Sequence, residues 1–204
     1  LGKNIGTDFF WWAMTFRYPF SFPEWSRGMT PGLELSYSSN NSDAFSPYGY
    51  GFSLSIPRIQ RSAKKWVSEL YITDEFSAFW NNLISEVTWW NRYRSKDASD
   101  MNLYTRSWSS WIVHMRDGKK QTYWVTKTSR IADPIDSTKI YAWLLDEERD
   151  AFDHVVSYTY QLDGGQPYIS DISYWFDWAW GDPLYNIHFD YIIKSASLTS
   201  YRTQ

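Results

Sequence analysis

Asp117-Gly118 stands between Trp111–Arg116 and Gln121–Val125, two short runs rich in apolar residues. Gly supplies the positive φ that a tight connection needs, so the segment predicts an antiparallel hairpin. The rest of the chain repeats this theme, with short alternating runs divided by turn residues. A chain written this way folds by pairing neighbouring strands, and its expected class is all-β, an antiparallel meander of hairpins.

Residues 1 to 10 are polar and contain glycine, and Ala13 to Pro19 then alternates as a strand does. Leu33, Leu35 and Tyr37 share one side of a second run, with Glu34, Ser36 and Ser38 on the other. Phe52 to Ile56 gives a third. Glu75 to Phe79 and Leu83 to Val87 flank Trp80-Asn81-Asn82 as a hairpin, and Arg92 to Arg94 forms a short strand. Ser129 to Pro134 is a strand running into a turn. Lys139 to Glu147 and Val155 to Leu162 flank the turn Asp150 to His154, Asp163-Gly164-Gly165 turns the chain again, and Tyr168 to Tyr174 and Tyr185 to Tyr191 close the series. Tyr141 to Ala151 has enough length for a helix, but its charges gather at one end instead of recurring every three or four residues, so it reads as strand. No strict repeat period emerges.

The 204 residues carry a net charge of −3, without the clustered Lys and Arg that nucleic-acid binding needs. Cysteine is absent, which excludes a disulfide framework and a thiolate zinc site. No stretch approaches the roughly 18 consecutive apolar residues of a membrane helix. The chain begins at Leu1 without a signal-like segment, so a leader is expected upstream or not at all.

No catalytic, cofactor-binding or metal-binding residue is assigned from the sequence. His114 and His188 sit inside strand patterns and His154 at a turn, none in a ligand spacing. Neither a GxSxG elbow nor a thiol nucleophile occurs. The acids Asp74-Glu75, Asp146-Glu147-Glu148 and Asp150 lie at strand ends or turns, where carboxylates solvate well; paired across a cleft they would suit a hydrolase. Asp150, Asp153 and Asp163-Gly164-Gly165 offer oxygen ligands without an EF-hand spacing. Aromatic residues make up 21%, which admits a carbohydrate-binding module as the alternative function, although aromatics also fill β cores and pair across strands.

Tryptophan is misplaced. Trp11, Trp12, Trp25, Trp66, Trp80, Trp89, Trp90, Trp108, Trp124, Trp175, Trp178 and Trp180 occupy loop and turn positions that favour glycine, whereas Trp111 and Trp143 belong to apolar runs. Average usage predicts about 14 glycines in a chain of this length, and only 10 occur beside 14 tryptophans. The expectation is that the twelve are glycines in the working protein, some at positive φ, as happens when a source reads the opal codon as glycine.

With those positions read as small turn residues, a resemblance emerges. Thr30 to Ser39 (TPGLELSYSS), Tyr48 to Ser62 (YGYGFSLSIPRIQRS), Thr128 to Pro134 (TSRIADP), Tyr141 to Gln161 and Asn186 to Tyr191 resemble, in order, the N-terminal domain of the SpvB-type plasmid virulence proteins and the B component of insecticidal toxin complexes. DEFSAF and LISEV match the hairpin that follows in that family, whereas Asn91 to Ser110 diverges. The resemblance implies that residues 1–204 are an SpvB-type N-terminal β region and a fragment of a longer, secreted toxin chain. Its expected role is non-catalytic, part of an Rhs/YD-repeat-related shell around a C-terminal effector. The implied partners are the remainder of its own chain and other toxin-complex components, and no cofactor is implied.

Overall fold

The computed structural model describes residues 5–8, 13–25, 29–40, 48–62, 70–78, 81–87, 91–97, 100–176 and 181–192. Trp11, Trp12, Trp66, Trp80, Trp89, Trp90, Trp178 and Trp180 lie outside the described residues. All regular elements among the described residues are strands, so none of them is a helix long and apolar enough to cross a membrane. The chain divides into two units, one of residues 1–24, 30–56 and 191–204, the other of residues 25–29 and 57–190.

In the first unit β1 (Ile5–Asp8), β2 (Ala13–Pro19), β3 (Glu34–Ser38) and β4 (Phe52–Leu54) form an antiparallel sheet in chain order. The alternating runs set its register: Tyr18 faces Leu35 and Tyr37 faces Phe52, their rings 4.9 Å apart, while on the opposite face the Ser36 and Ser53 hydroxyls meet at 2.8 Å. β1 was not expected, because residues 1 to 10 read as polar loop; it pairs with β2 through backbone groups, which need no apolar alternation. Gly51, at φ +76°, lets the chain turn tightly into β4. A β-carbon there would lie 2.6 Å from Tyr37 Cε2 and 2.9 Å from the Ser38 carbonyl oxygen.

The second unit contains β5 (Arg58–Arg61), β6 (Phe76–Ala78), β7 (Asn81–Val87), β8 (Arg92–Ser95), β9 (Leu103–Ser107), β10 (Ser110–His114), β11 (Lys120–Tyr123), β12 (Arg130–Ala132), β13 (Ile140–Arg149), β14 (Val155–Asp163), β15 (Gln166–Phe176) and β16 (Pro183–His188). β5 to β11 pair consecutively, and both β5 and β11 pair with β13. Eight strands therefore close on one another as a barrel, and β14, β15 and β16 continue the sheet from β13.

The pairing fixes which side chains face inward. Trp143 opposes Ile59, Ile59 opposes Ala78, Phe76 opposes Leu83, Tyr93 opposes Tyr104, and Trp111 opposes Tyr123. All of these are buried. The rings of Phe76, Tyr93, Trp111 and Trp143 meet at centroid distances of 4.9 to 5.9 Å, an aromatic core in edge-on and tilted geometry. Beyond the barrel, Val156, Tyr158, Tyr160, Ile169, Ile172 and Tyr174 bury one face of β14 and β15.

The hairpin read at Asp117-Gly118 forms, with His114 opposite Lys120 and Gly118 at φ +87°. Asp163-Gly164-Gly165 also turns as expected: both glycines have positive φ, and Asp163 pairs with Gln166. Residues 140–149 are strand throughout. Two readings shift. Asn81 and Asn82 are strand residues of β7, paired with Ala78 and Ser77. β5 and β9 were not anticipated, since Arg-Ile-Gln-Arg and Leu-Tyr-Thr-Arg-Ser place arginines on the inward face, against the usual alternation.

Candidate functional site

Two of those arginines, Arg61 of β5 and Arg106 of β9, meet at the Phe76 ring and the Asp74 carboxylate. Arg61 shares the inward face with Ile59 and has 9% of its side chain exposed; its guanidinium carbon lies 5.1 Å from the Phe76 centroid and 5.9 Å from Trp143. Arg106 opposes Trp111 and also stands 5.1 Å from the Phe76 ring. Asp74, more than half exposed, accepts from both guanidinium groups at 3.2 and 3.0 Å. Arg61 Nε donates to the Ile140 carbonyl at 3.0 Å, tying β5 to the start of β13. Period 2 puts Arg61 on the face of Ile59 and Arg106 on the face of Tyr104, but it gives no sign of the aromatic rings that receive them.

The second acidic cluster is equally engaged. Asp146 lies where the β11–β13 register shifts, and it is 5% exposed. Its carboxylate accepts from the Ser129 hydroxyl at 2.7 Å, the Thr126 hydroxyl at 3.0 Å and the Val125 N–H. Burial pushes its pKa up, opposed by those hydrogen bonds. Asp146 thus anchors the excursion of residues 124–129 between β11 and β12. Glu147 pairs with Arg149 at 3.0 Å; Glu148 accepts from Gln121 at 2.7 Å and Lys119 at 3.2 Å. Asp150 caps its own turn, accepting from the Phe152 and His154 N–H groups at 2.7 and 2.9 Å.

His154 Nδ1 meets Asp150 at 2.7 Å inside that turn. His188 ends β16, with Nδ1 2.7 Å from Asp171 across the sheet and Nε2 3.3 Å from Asp190. The hydrogen bond and charge of Asp171 push the His188 pKa up. Burial works against ionisation of Asp171, but the bonds from His188, Asn186 and Ser170 outweigh it and lower its pKa. His114 is exposed at the end of β10. The buried phenols of Tyr104, Tyr123 and Tyr158 are raised chiefly by desolvation and stay protonated.

These groups are joined to one another for structure. Arginines hold Asp74, backbone and hydroxyl donors hold Asp146, and carboxylates meet His154 and His188. Among the described residues no three His, Cys, Asp or Glu side chains converge on a position that would hold a metal ion. Asp150, Asp153 and Asp163 do not come together as an oxygen cage there. Among the described pairings, β16 bonds to β15 alone, leaving one edge of the twelve-stranded sheet open.

Comparison with solved structures gives the same fold. The chain is similar to TcdB2-TccC3 (TM-score 0.69, 19% identity, 79% of this chain and 10% of that one). It is similar to the N-terminal domain of effector protein SpvB from Salmonella typhimurium strain LT2 (TM-score 0.66, 20% identity, 81% of this chain and 65% of that one). The Photorhabdus luminescens Tc holotoxin pore matches at TM-score 0.64 and 19% identity, over 79% of this chain and 9% of that one. The chain thus spans 10% or less of the two toxin-complex chains. No curated protein sequence matches it. The profile of the Salmonella virulence plasmid 65kDa B protein family covers residues 13–99 and 90–172. With its strand order described and most of its length inside that profile, the chain belongs to the SpvB family.

Proposed function

We propose that the chain is a non-catalytic wall segment of a longer bacterial toxin or virulence protein. Family membership supports the toxin setting, and the observation that carries the structural role is the edge of β16, which among the described residues pairs with β15 alone. A closed barrel leaves few backbone groups for partners, whereas a sheet that continues past the barrel and stops at a strand paired on one side presents a row of donors and acceptors. In this reading the next strands are supplied by the remainder of the same chain, which builds a shell around a C-terminal effector and meets other toxin-complex components after secretion. The acids and histidines serve the wall itself.

Amide exchange tests this. The 204-residue chain is compared with a version extended by the residues that its gene encodes next. The β16 amides should gain protection in the longer polypeptide only. Equal protection in both, with the short chain monomeric, would remove the shell reading.

One observation favours a second reading. In the first unit Phe16, Tyr18, Phe20 and Phe22 run as a ladder, with successive centroids 6.5, 5.3 and 6.0 Å apart and Tyr18 47% exposed. Such a platform suits sugar stacking. Glycan-array binding that disappears with Tyr18→Ala would support it, and no glycan binding by the unaltered chain rejects it.

A further inference from the structure

The fourteen tryptophans fall into two populations. Trp111 and Trp143 are 0% and 1% exposed, both inside the barrel, and the Trp143 indole N–H donates to the Ser109 carbonyl. Four of the other twelve lie among the described residues, and three of those four have positive φ: Trp108 at +55°, Trp124 at +60° and Trp175 at +59°. There the β-carbon crowds the following carbonyl oxygen. The other described residues at positive φ are six glycines, Asn91 and Asp153, the types that this conformation tolerates. Only a few per cent of non-glycine residues adopt positive φ, so fourteen tryptophans should supply about one at most.

Local context at each site asks for glycine. Ser107 pairs with Ser110, so Trp108 and Ser109 form a two-residue hairpin loop with positive φ at its first position only. That is the pattern of a type II′ turn, whose first central residue is glycine. Trp108 is 94% exposed, so its indole gains no burial. Trp124 stands where the chain leaves β11, its ring contacted by the Arg130 guanidinium at 4.8 Å. Trp175 interrupts the ladder between Tyr174↔Tyr185 and Phe176↔Pro183. Trp25 is not at positive φ; its ring stacks on Trp175 at 5.6 Å and lies 4.2 Å from His154, and the first of these partners belongs to the same set.

We infer that the twelve positions are glycine in the polypeptide that the source cell makes, inserted at UGA codons which that cell reads as glycine, while Trp111 and Trp143 come from UGG. The backbone then has a glycine at every described positive-φ position except Asn91 and Asp153. A host that reads UGA as stop ends this stretch before position 11, so the protein is confined to cells with the matching decoding.

Mass spectrometry of the protein isolated from its source tests the assignment in one peptide. The tryptic fragment Ser107–Arg116 contains Trp108 from the first population and Trp111 from the second. Glycine at 108 together with tryptophan at 111 is expected. Tryptophan at both positions would overturn the inference. The gene gives a second reading: UGA at the twelve positions and UGG at 111 and 143 agrees, whereas UGG at 108, 124 and 175 refutes it.

Discussion

Arg61 and Phe76 are cross-strand partners on β5 and β6, and the guanidinium carbon of one lies 5.1 Å from the ring centroid of the other. A cation held in a barrel interior survives because its neighbours replace water: aromatic faces, the Ile140 carbonyl and the Asp74 carboxylate.

Arg61→Ala should lower stability by about 3 kcal/mol in urea unfolding, since it leaves a cavity and removes the bond to Ile140. Arg61→Lys should recover part of that loss but not all, because an ammonium cannot span carbonyl and carboxylate as the planar fork does. Arg116→Ala, at an exposed turn position, should change stability by less than about 0.5 kcal/mol. Equal effects at 61 and 116 would show that the buried cation contributes nothing.

Tryptophan substitutions should divide by sign. Trp143→Ala should cost about 4 kcal/mol through the cavity it opens beside Phe76 and Trp111. Trp108→Gly should stabilise by about 1 kcal/mol, the relief of a left-handed backbone strained by a β-carbon. Thermal melts of the two variants check the contrast.

Asp146→Ala should cost about 2 kcal/mol, because it removes the acceptor of the Val125 N–H and one acceptor each of the Thr126 and Ser129 hydroxyls, Ser129 being fully buried. Asp146→Asn should cost less, as the amide oxygen still accepts and no charge is buried. Proteolytic nicking at residues 124–129 should rise in the alanine variant, and an unchanged cleavage pattern would argue against the anchoring role.

Pairing of β15 with β16 should depend on pH. The His188 pKa is raised, so its contribution is complete below about pH 6.5 and fades as pH rises through the folded value above that. The Asp171 pKa is lowered, so its contribution is present above about pH 4 and fades as pH falls through the folded value below that. β16 amide protection should therefore be greatest between these limits. His188→Gln should remove the loss on the alkaline side, and an alkaline loss that persists in that variant would assign it elsewhere.

Local chemistry was legible wherever it was self-contained. Asp117-Gly118 and Gly164-Gly165 specify their turns because only a few residues satisfy those dihedrals, and Tyr141 to Ala151 reads as strand, as it is up to Arg149, because its charges do not repeat at helical spacing. The inward arginines were not legible. Arg61 is held by Ile140, 79 positions away, and period alone gives no sign that an aromatic cage awaits it. The candidate acids were visible as residues, but their engagement by Arg61, Arg106, Ser129 and Lys119 depends on strands distant in the chain.

By itself the sequence determined the all-β class, most of the hairpins and the two tryptophans of the core, since periodicity and turn preference act over a few residues. It also marked Trp108, Trp124 and Trp175 as glycine-like positions, and all three have positive φ. Tertiary structure alone decided that β13 joins β5 to β11 and closes a barrel, that Asp146 is buried at the register shift, and that β16 ends the sheet among the described residues. Those outcomes come from pairings between distant segments, where shape and hydrogen-bond completion across the whole sheet choose among partners that local pattern leaves equivalent.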